Sequence, residues 1–222
     1  MRCIIEMDGA VFDLRSAWYQ AYREAAAQVG WSRLEEAEYW RMTRTRGREA
    51  IVLPGAKPAK LKAFVAEFER RVETDAIVEA LRIQPGVERA LTVLRDHGPC
   101  SAVTLGLNVG RRRHLLEQRG LSRFFDHIEG LSSDLRRRPG ELALLSGGDR
   151  RTMVAASGDG LTRAAGGADL FAAGIASGAC TPARLHQAGA DVVFPELAGL
   201  AESLAAGAAD LVRAGLLPAG LD

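Results

Sequence analysis

Residues 2–9 of the chain, Arg2-Cys3-Ile4-Ile5-Glu6-Met7-Asp8-Gly9, carry the pattern from which the fold can be predicted. The apolar run predicts a short buried strand. Two acidic residues and a glycine follow it, which is typical of a turn after a strand. This segment therefore predicts a first strand whose carboxyl end presents Glu6 and Asp8.

Beyond this strand the apolar residues follow helical spacing, and only later does a strand pattern return. The segment 15–84 is predicted to be helical, with a break at Pro54-Gly55. From residue 85 onward short strands alternate with helices, which is typical of a parallel sheet covered on both faces. The predicted strands are Ser101–Thr104, Thr152–Ala156, Leu170–Ala173 and Asp191–Val193. The predicted fold class is therefore α/β, with a Rossmann-like core of residues 1–14 and 85–222 and an inserted α-helical cap at 15–84.

Polar residues follow three of the predicted strands. Glu6 and Asp8 follow the first strand, Thr104 ends the second, and Ser157 and Asp159 follow the strand at 152–156. Because ligands of such sheets bind outside the carboxyl ends of the strands, we expect these side chains to converge on one site. The cap would lie above that site as a lid.

The composition excludes several classes of protein. The chain has 222 residues, of which 47% are hydrophobic, so it can bury a core. Its 29 basic and 28 acidic residues leave a net charge of +1, which gives no electrostatic footprint for nucleic acid or a membrane surface. No apolar run approaches the roughly 18 residues of a membrane span, and the three scattered cysteines fit a reducing compartment. We expect a cytoplasmic protein that binds neither nucleic acid nor membranes.

The order of these motifs resembles that of the haloacid dehalogenase (HAD) superfamily, specifically its phosphoglycolate phosphatase and β-phosphoglucomutase-like members with a helical cap. The matching segments, in chain order, are residues 4–13, Gln84-Pro85-Gly86-Val87, Val103-Thr104, Arg138-Pro139 and residues 154–174. The resemblance covers nearly the whole chain. It implies the same α/β core and cap that the hydrophobic pattern predicts.

The resemblance also implies a site. In this superfamily one aspartate attacks phosphorus, a second transfers protons, a Thr or Ser and a Lys hold the phosphoryl oxygens, and Mg²⁺ is bound by the first acid and a fourth-motif acid. The catalytic positions carried over to this chain are Glu6, Asp8, Thr104 and Arg138. The metal ligands would be Glu6, Asp8 and Asp159. Counting along the strand instead puts Ser157 at the fourth-motif acid, and both alignments are kept.

Two of these positions depart from the superfamily's pattern. Glu6 is one methylene longer than Asp, and a reacting atom displaced by about 1 Å can cost on the order of 10²-fold in rate. Arg138 keeps the charge of Lys without its point-like geometry, and the three lysines all lie within residues 57–62 of the predicted cap. With Ser157 as the fourth-motif residue, a hard oxygen ligand is lost as well. The sequence therefore predicts a Mg²⁺ site that is weakened or lost.

Three functions fit these residues. The one we expect is a pseudoenzyme that has left ordinary phosphatase chemistry and binds a small molecule in the core–cap cleft, or a protein partner. The second is a repurposed enzyme in which Glu6 and Asp8 act as an acid–base pair on a non-phosphorylated substrate. The third is a slow Mg²⁺-dependent phosphomonoesterase.

Other residues are assigned by the resemblance or by charge. The resemblance places Arg46, Gly47 and Leu105 against the substrate. The run Arg111-Arg112-Arg113 is predicted to form a solvated helix face.

Overall fold

A computed structural model describes residues 1–46, 57–207, 211 and 215–216. Within these residues the strands are β1 (Arg2–Glu6), β2 (Phe12–Asp13), β3 (Arg82–Ile83), β4 (Cys100–Leu105), β5 (His127–Leu131), β6 (Thr152–Ala156), β7 (Phe171–Ile175) and β8 (Val192–Phe194). The helices are α1 (Arg15–Gln28), α2 (Glu36–Arg46), α3 (Pro58–Val72), α4 (Asp75–Glu79), α5 (Val87–His97), α6 (Val109–Gln118), α7 (Arg138–Ser146), α8 (Asp159–Gly167), α9 (Pro182–Gln187) and α10 (Leu197–Ala205).

The centre of the molecule is a six-stranded parallel sheet in the order β5-β4-β1-β6-β7-β8. Its middle strands are buried on both faces, as their nearly continuous apolar sequences require. Alternate residues of β1 enter different apolar clusters, with Ile5 on one face and Ile4 on the other. Helices therefore flank both faces, and the predicted α/β class is confirmed.

The strand order reverses beside β1, where the chain moves to β4 on one side and β6 on the other. Such a switch point opens a crevice at the carboxyl ends of the strands. The ends of β1, β4 and β6 meet there, so the topology brings the residues that follow these three strands together.

Two strand features are absent from the sequence prediction. The edge strand β5 has only one buried residue among five, so no apolar run signals it. The short antiparallel pair of β2 and β3 joins Phe12 to Ile83 and Asp13 to Arg82. This pair connects the sheet to helices α1 to α4, which we call the helical cap.

The helical cap is held together by aromatic side chains. The rings of Tyr22 and Tyr39 stack with their centroids 4.5 Å apart, and Trp18 meets Phe68 edge to face at 5.9 Å. Such pairs stabilise by about 0.5–1.5 kcal/mol beyond the area that they bury. These residues belong to the same apolar cluster as Ile5 of the sheet, so the cap and one face of the sheet share a core. The predicted break at Pro54-Gly55 lies outside the described residues.

Within the described ranges, no helix is both long enough and apolar enough to cross a membrane.

Candidate functional site

A tight turn at Met7–Val11 follows β1 and places Asp8 at the carboxyl end of the sheet. Gly9 lies in this turn at a φ of +105°, where a Cβ atom would stand 2.5 Å from Ser157 Oγ and 2.8 Å from the Cα atom of Gly178. Only glycine fits this backbone and this space. The Ser157 hydroxyl donates a hydrogen bond of 2.6 Å to the Asp8 carbonyl, which fixes the turn against the end of β6.

The Glu6 carboxylate lies inside the protein, with 5% of the residue exposed. Its Oε2 atom accepts hydrogen bonds from the backbone N–H groups of Ser157 at 2.6 Å and Gly158 at 2.9 Å. Burial raises the pKa of Glu6 to about 7, and the charge of Asp8 acts in the same direction, while the two backbone donors oppose it. Glu6 is therefore a carboxyl group poised between its charged and neutral forms near neutral pH.

Asp8 is also buried, but it is surrounded by strong donors. Its Oδ2 atom accepts a hydrogen bond of 2.5 Å from the Thr104 hydroxyl, and its Oδ1 atom accepts one of 2.9 Å from Arg112 Nε. Arg112 is fully buried, so the prediction that it lies on a solvated helix face is wrong. A buried carboxylate requires a compensating charge, and the Arg112 guanidinium supplies it.

Arg138 lies at the start of α7, buried beside the site. Its Nε donates to the Ser132 carbonyl at 2.7 Å, and its Nη2 lies 3.4 Å from the Ser133 carbonyl. A Cβ atom on Gly160 would stand 2.6 Å from Arg138 Nη1, so the guanidinium packs against the first turn of α8. Burial lowers the pKa of Arg138, and the charge of Glu6 opposes that effect.

The two candidates for the fourth-motif residue have different surroundings. Ser157 contacts both acids, through its backbone to Glu6 and through its hydroxyl to the Asp8 carbonyl. The Asp159 carboxylate instead accepts a hydrogen bond of 2.7 Å from Arg184 Nη2. Asp159 is therefore neutralised by an arginine of α9, while Ser157 closes the space between Glu6 and Asp8.

These contacts decide how well the site fits a metal ion. Mg²⁺ needs oxygen ligands in octahedral geometry at about 2.0–2.1 Å. Both oxygens of Asp8 already accept hydrogen bonds, one of them from a cation, and Asp159 faces Arg184. Among residues 1–46 and 57–207, no three His, Cys, Asp or Glu side chains are grouped so that they could hold a metal ion. The carboxylates that the resemblance offers to Mg²⁺ at Asp8 and Asp159 are therefore already paired with donors of the protein itself.

One side of the cap is bound to helix α6. The Arg112 Nη2 atom lies 3.6 Å from Glu73 Oε1, and Arg111 Nη1 contacts the Glu73 carbonyl and lies 2.5 Å from Asp75 Oδ1. Just after α6, Arg119 reaches the Glu79 carbonyl at 3.4 Å. Two arginines of α6 and the one that follows it thus hold the cap segment 73–79.

The opposite side of the cap is bound through α2. Arg44 Nη2 donates to the Ala176 carbonyl at 2.6 Å and lies 3.3 Å from the Cys180 carbonyl. The backbone N–H of Thr181 donates back to the Arg44 carbonyl at 3.2 Å, and Arg184 Nη1 donates to the Thr43 carbonyl at 3.0 Å. The cap is therefore closed over the carboxyl ends of the strands and tied down on both sides.

Two of the three residues that the resemblance places against a substrate lie within the described residues. Arg46 is exposed at the end of α2. Leu105 is partly buried and packs against the apolar cluster that contains Val103 and Leu131. Gly47 lies outside the described residues. The structure brings together Glu6, Asp8, Thr104 and Ser157, and it adds Arg112 to them. We call these five residues the acidic site.

A groove of about 580 Å³ lies on the outer face of α1. It is lined by Ser16, Tyr19, Gln20, Arg23, Glu24, Ala27, Arg33 and Glu36. None of these residues belongs to the acidic site, so this groove is separate from the chemistry at the sheet.

Arg112 is the site residue that the charge pattern misassigned. The apolar spacing contained a signal for its burial, because Arg112, Leu115 and Leu116 recur at i, i+3 and i+4 and all three are buried. The adjacent arginines obscured this signal by resembling a solvated charge run. Arg184 had no comparable signal, because its contact with Asp159 depends on how α8 and α9 pack.

Solved structures share this architecture. A hydrolase of the haloacid dehalogenase-like family from Streptococcus pneumoniae matches with a TM-score of 0.74 at 14% identity, over 93% of this chain and 97% of that one. A predicted phosphatase from Clostridium acetobutylicum matches with a TM-score of 0.73 at 14% identity, over 92% and 98%. A predicted phosphoglycolate phosphatase from Haemophilus somnus matches with a TM-score of 0.68 at 15% identity, over 91% and 96%.

Comparison by sequence adds nothing to these matches, since no protein-family model and no curated protein matches the chain. Identities of this size establish the fold alone. The confirmed prediction is that the chain has the Rossmann-like α/β fold of the haloacid dehalogenase hydrolases.

Proposed function

We propose that this protein has left phosphoaspartate chemistry and acts as a binding protein, with a core of residues 1–14 and 85–222 and a cap of residues 15–84. The observation that carries the proposal is the buried ion pair between Arg112 Nε and Asp8 Oδ1 at 2.9 Å. In the chemistry that the resemblance implies, the residue at the Asp8 position moves protons at the reacting phosphate. An arginine does not give up its proton in proteins, so Asp8 faces a permanent cation where the superfamily's chemistry needs it to face a reacting phosphate.

The surroundings of Glu6 support the same conclusion. A nucleophile must present a charged oxygen to the substrate, whereas the pKa of Glu6 is raised to about 7 by burial. Its Oε2 atom is occupied by the two backbone donors of residues 157 and 158. These contacts support a structural role for Glu6, which holds the loop after β6, over a role as the nucleophile that attacks a phosphate.

Arginines of the chain supply positive charge beside two of the acids that the resemblance assigns to a metal ion. Arg112 compensates Asp8, and Arg184 compensates Asp159. We propose that these two arginines replace Mg²⁺ as the source of positive charge, so that the Mg²⁺ site is lost. No step of the proposed function depends on a metal.

The ligand of such a protein would enter between the core and the cap. It would have to displace the arginine contacts that tie cap segment 73–79 to α6 and the end of α2 to residues 176–184. A small molecule in the cleft is the partner we propose, with a protein partner as the alternative. A cytoplasmic location stays a prediction.

Ligand binding without turnover is the property to test. The melting temperature is measured with a panel of phosphorylated and unphosphorylated metabolites, with and without Mg²⁺, because a ligand of the folded state raises it. We expect Mg²⁺ alone to cause no shift, and a ligand to raise the melting temperature equally with or without Mg²⁺ and be recovered unchanged. A shift that requires Mg²⁺ and consumes the compound would contradict the proposal.

A second function is favoured by one observation. A buried carboxyl group with a pKa of about 7 is matched to acid–base catalysis at neutral pH. Glu6 could then exchange a proton with a non-phosphorylated substrate, with Asp8 as the other member of an acid–base pair. Metal-independent turnover that is abolished by Glu6→Gln would establish this function in place of the first.

A further inference from the structure

Two buried cysteines lie side by side at the amino ends of two interior strands, at the opposite end of these strands from the acidic site. Cys3 is in β1 and Cys100 opens β4, and the two are paired residues of neighbouring parallel strands. Both are at most 1% exposed and belong to the same apolar cluster, so their side chains lie on one face of the sheet. The Cys100 thiol donates a hydrogen bond of 3.7 Å to the Gly98 carbonyl.

The backbone geometry suits a covalent bond between them. Neighbouring strands lie about 4.7–4.9 Å apart, and disulfides bridge Cα atoms separated by roughly 4.4–6.8 Å. Paired residues of parallel strands also point the same way. Disulfides also need Cβ atoms about 3.5–4.5 Å apart. A disulfide between Cys3 and Cys100 therefore requires rotation of the side chains and a slightly closer approach of the two strands at this point.

The surroundings give the two sulfur atoms different roles. The neighbouring Cys3 thiol lowers the pKa of Cys100, and the charge of Arg95 acts in the same direction. The neighbouring Cys100 thiol, together with burial, raises the pKa of Cys3. These directions favour Cys100 over Cys3 as the nucleophile.

Cys100 is also close to the protein surface. Its backbone N–H donates to Asp126 Oδ2 at 3.2 Å, and the same oxygen pairs with Arg95 Nη1 at 2.5 Å. The side chains of Arg95 and Asp126 are each 36% exposed. The backbone of Cys100 therefore lies directly beneath a partly exposed ion pair.

We propose that Cys3 and Cys100 form a dithiol site that a peroxide oxidises to an intramolecular disulfide. The Cys100 thiolate attacks one peroxide oxygen, the O–O bond breaks, and the departing oxygen takes a proton. This leaves a sulfenic acid on Cys100. The Cys3 sulfur then attacks the Cys100 sulfur, the S–S bond forms and the S–O bond breaks. The proton of Cys3 leaves with that oxygen as water, so two thiols and one hydrogen peroxide give one disulfide and two waters.

The bond would join the strands that carry the acidic site. It links β1, which leads to Glu6 and Asp8, to β4, which ends near Thr104. The loop between residues 3 and 100 contains the whole cap, and closing so long a loop restricts the unfolded chain strongly. The oxidised protein should therefore melt at a higher temperature than the reduced protein.

The test is peroxide treatment of the folded wild-type protein, followed by blocking of free thiols, non-reducing peptide mapping and a melting curve. The matched control is Cys180→Ala, which removes the third buried cysteine. In both proteins we expect a peptide that links Cys3 to Cys100, the loss of two hydrogen atoms from the intact mass, and a melting temperature raised by several degrees. A thiol reductant should reverse all three.

Other outcomes would overturn the proposal. One is that both thiols of the folded protein remain free after peroxide treatment. Another is that Cys100 is converted to a sulfinic acid without a crosslink, and a third is a disulfide that involves Cys180. The variant Cys3→Ser should lose the crosslink, and the wild-type mapping decides the question even where this variant fails to fold.

Discussion

The acidic site is a set of buried charges that the protein compensates from within. Arg112 is fully buried and pairs with Asp8 at 2.9 Å and with Glu73 at 3.6 Å. Its Nη1 and Nη2 atoms have no hydrogen-bond partner among the described residues, so the pairing with Asp8 through Nε is its main anchor. Removal of one partner of such a buried ion pair destabilises the folded state strongly, because the other partner is left as an uncompensated charge.

The first prediction concerns this pair. We expect Arg112→Leu to lower the free energy of unfolding by about 3–5 kcal/mol, because Asp8 would be left as an unpaired buried charge. Urea unfolding measures the change. The control is Arg113→Leu on the same helix, where the exposed side chain reaches only the Ile128 carbonyl, and its effect should stay within about 0.5 kcal/mol. Adding Asp8→Asn to Arg112→Leu should restore part of the stability, and equal losses for Arg112→Leu and Arg113→Leu would disprove the role of the pair.

The second prediction concerns Glu6 and pH. The pKa of this group is raised from 4.5 to about 7 in the folded protein, chiefly by burial. Between these values the folded state holds a proton that the unfolded state has released, so stability falls as the pH rises. The contribution of Glu6 is fully present below about pH 4.5 and is lost as the pH rises through 7, and it amounts to about 3 kcal/mol.

Urea unfolding of the wild type and of Glu6→Gln at several pH values isolates this effect. The difference between the two free energies of unfolding should change by about 3 kcal/mol over this pH range, because Gln does not titrate. A difference that is independent of pH would show that Glu6 keeps an ordinary pKa.

At the scale of elements, the turn at Met7–Val11 fixes where Asp8 lies. The third prediction is that Gly9→Ala costs more than about 3 kcal/mol in stability, since the new Cβ atom would combine a positive φ with contacts of 2.5 and 2.8 Å. The matched control is Gly30→Ala, where φ is +63° and nothing lies within 4 Å of the new atom. That variant should cost only about 1–2 kcal/mol. Thermal unfolding of both separates the two costs, and equal values would show that the packing around Gly9 relaxes.

The contact of α2 with the core leads to the fourth prediction. Arg44→Ala removes the donor to the Ala176 and Cys180 carbonyls, and a hydrogen bond to a charged group contributes about 1.5–3 kcal/mol. Hydrogen exchange at residues 176–184 and at the end of α2 should therefore accelerate by about tenfold or more, while exchange in β1 stays unchanged. Arg41→Ala is the control, because Arg41 is 65% exposed and lies 3.9 Å from Glu38. Unchanged exchange in the Arg44→Ala protein would mean that this contact does not hold the cap.

The elements show what a sequence can and cannot predict here. The strand containing Ile4 and Ile5, the strand at Thr152–Ala156 and the strand near Leu170 were predictable, because continuous apolar runs mark strands buried on both faces. The exposed residues of β5 carry no such run. Glu6, Asp8 and Thr104 could be brought together from topology, whereas the pairing of Arg112 with Asp8 depends on the rotation of α6, which local charge does not reveal.

At the scale of the whole molecule, the fold and the site support different conclusions. The sheet order and the matches to solved structures place the chain among proteins with the fold of haloacid dehalogenase hydrolases. Within that fold Asp8 and Asp159 are paired with arginines, and the cap is tied to the core along both of its sides. We infer that the architecture has been kept while the cleft serves binding.

Phosphate release in the presence of Mg²⁺ tests this claim most directly. The wild type and Glu6→Gln are incubated with a broad panel of phosphorylated metabolites, and free phosphate is measured. For both the wild type and Glu6→Gln, we expect no phosphate release above the rate measured without protein. Mg²⁺-dependent release by the wild type that disappears in Glu6→Gln would contradict it and would make this protein a phosphatase with a glutamate nucleophile.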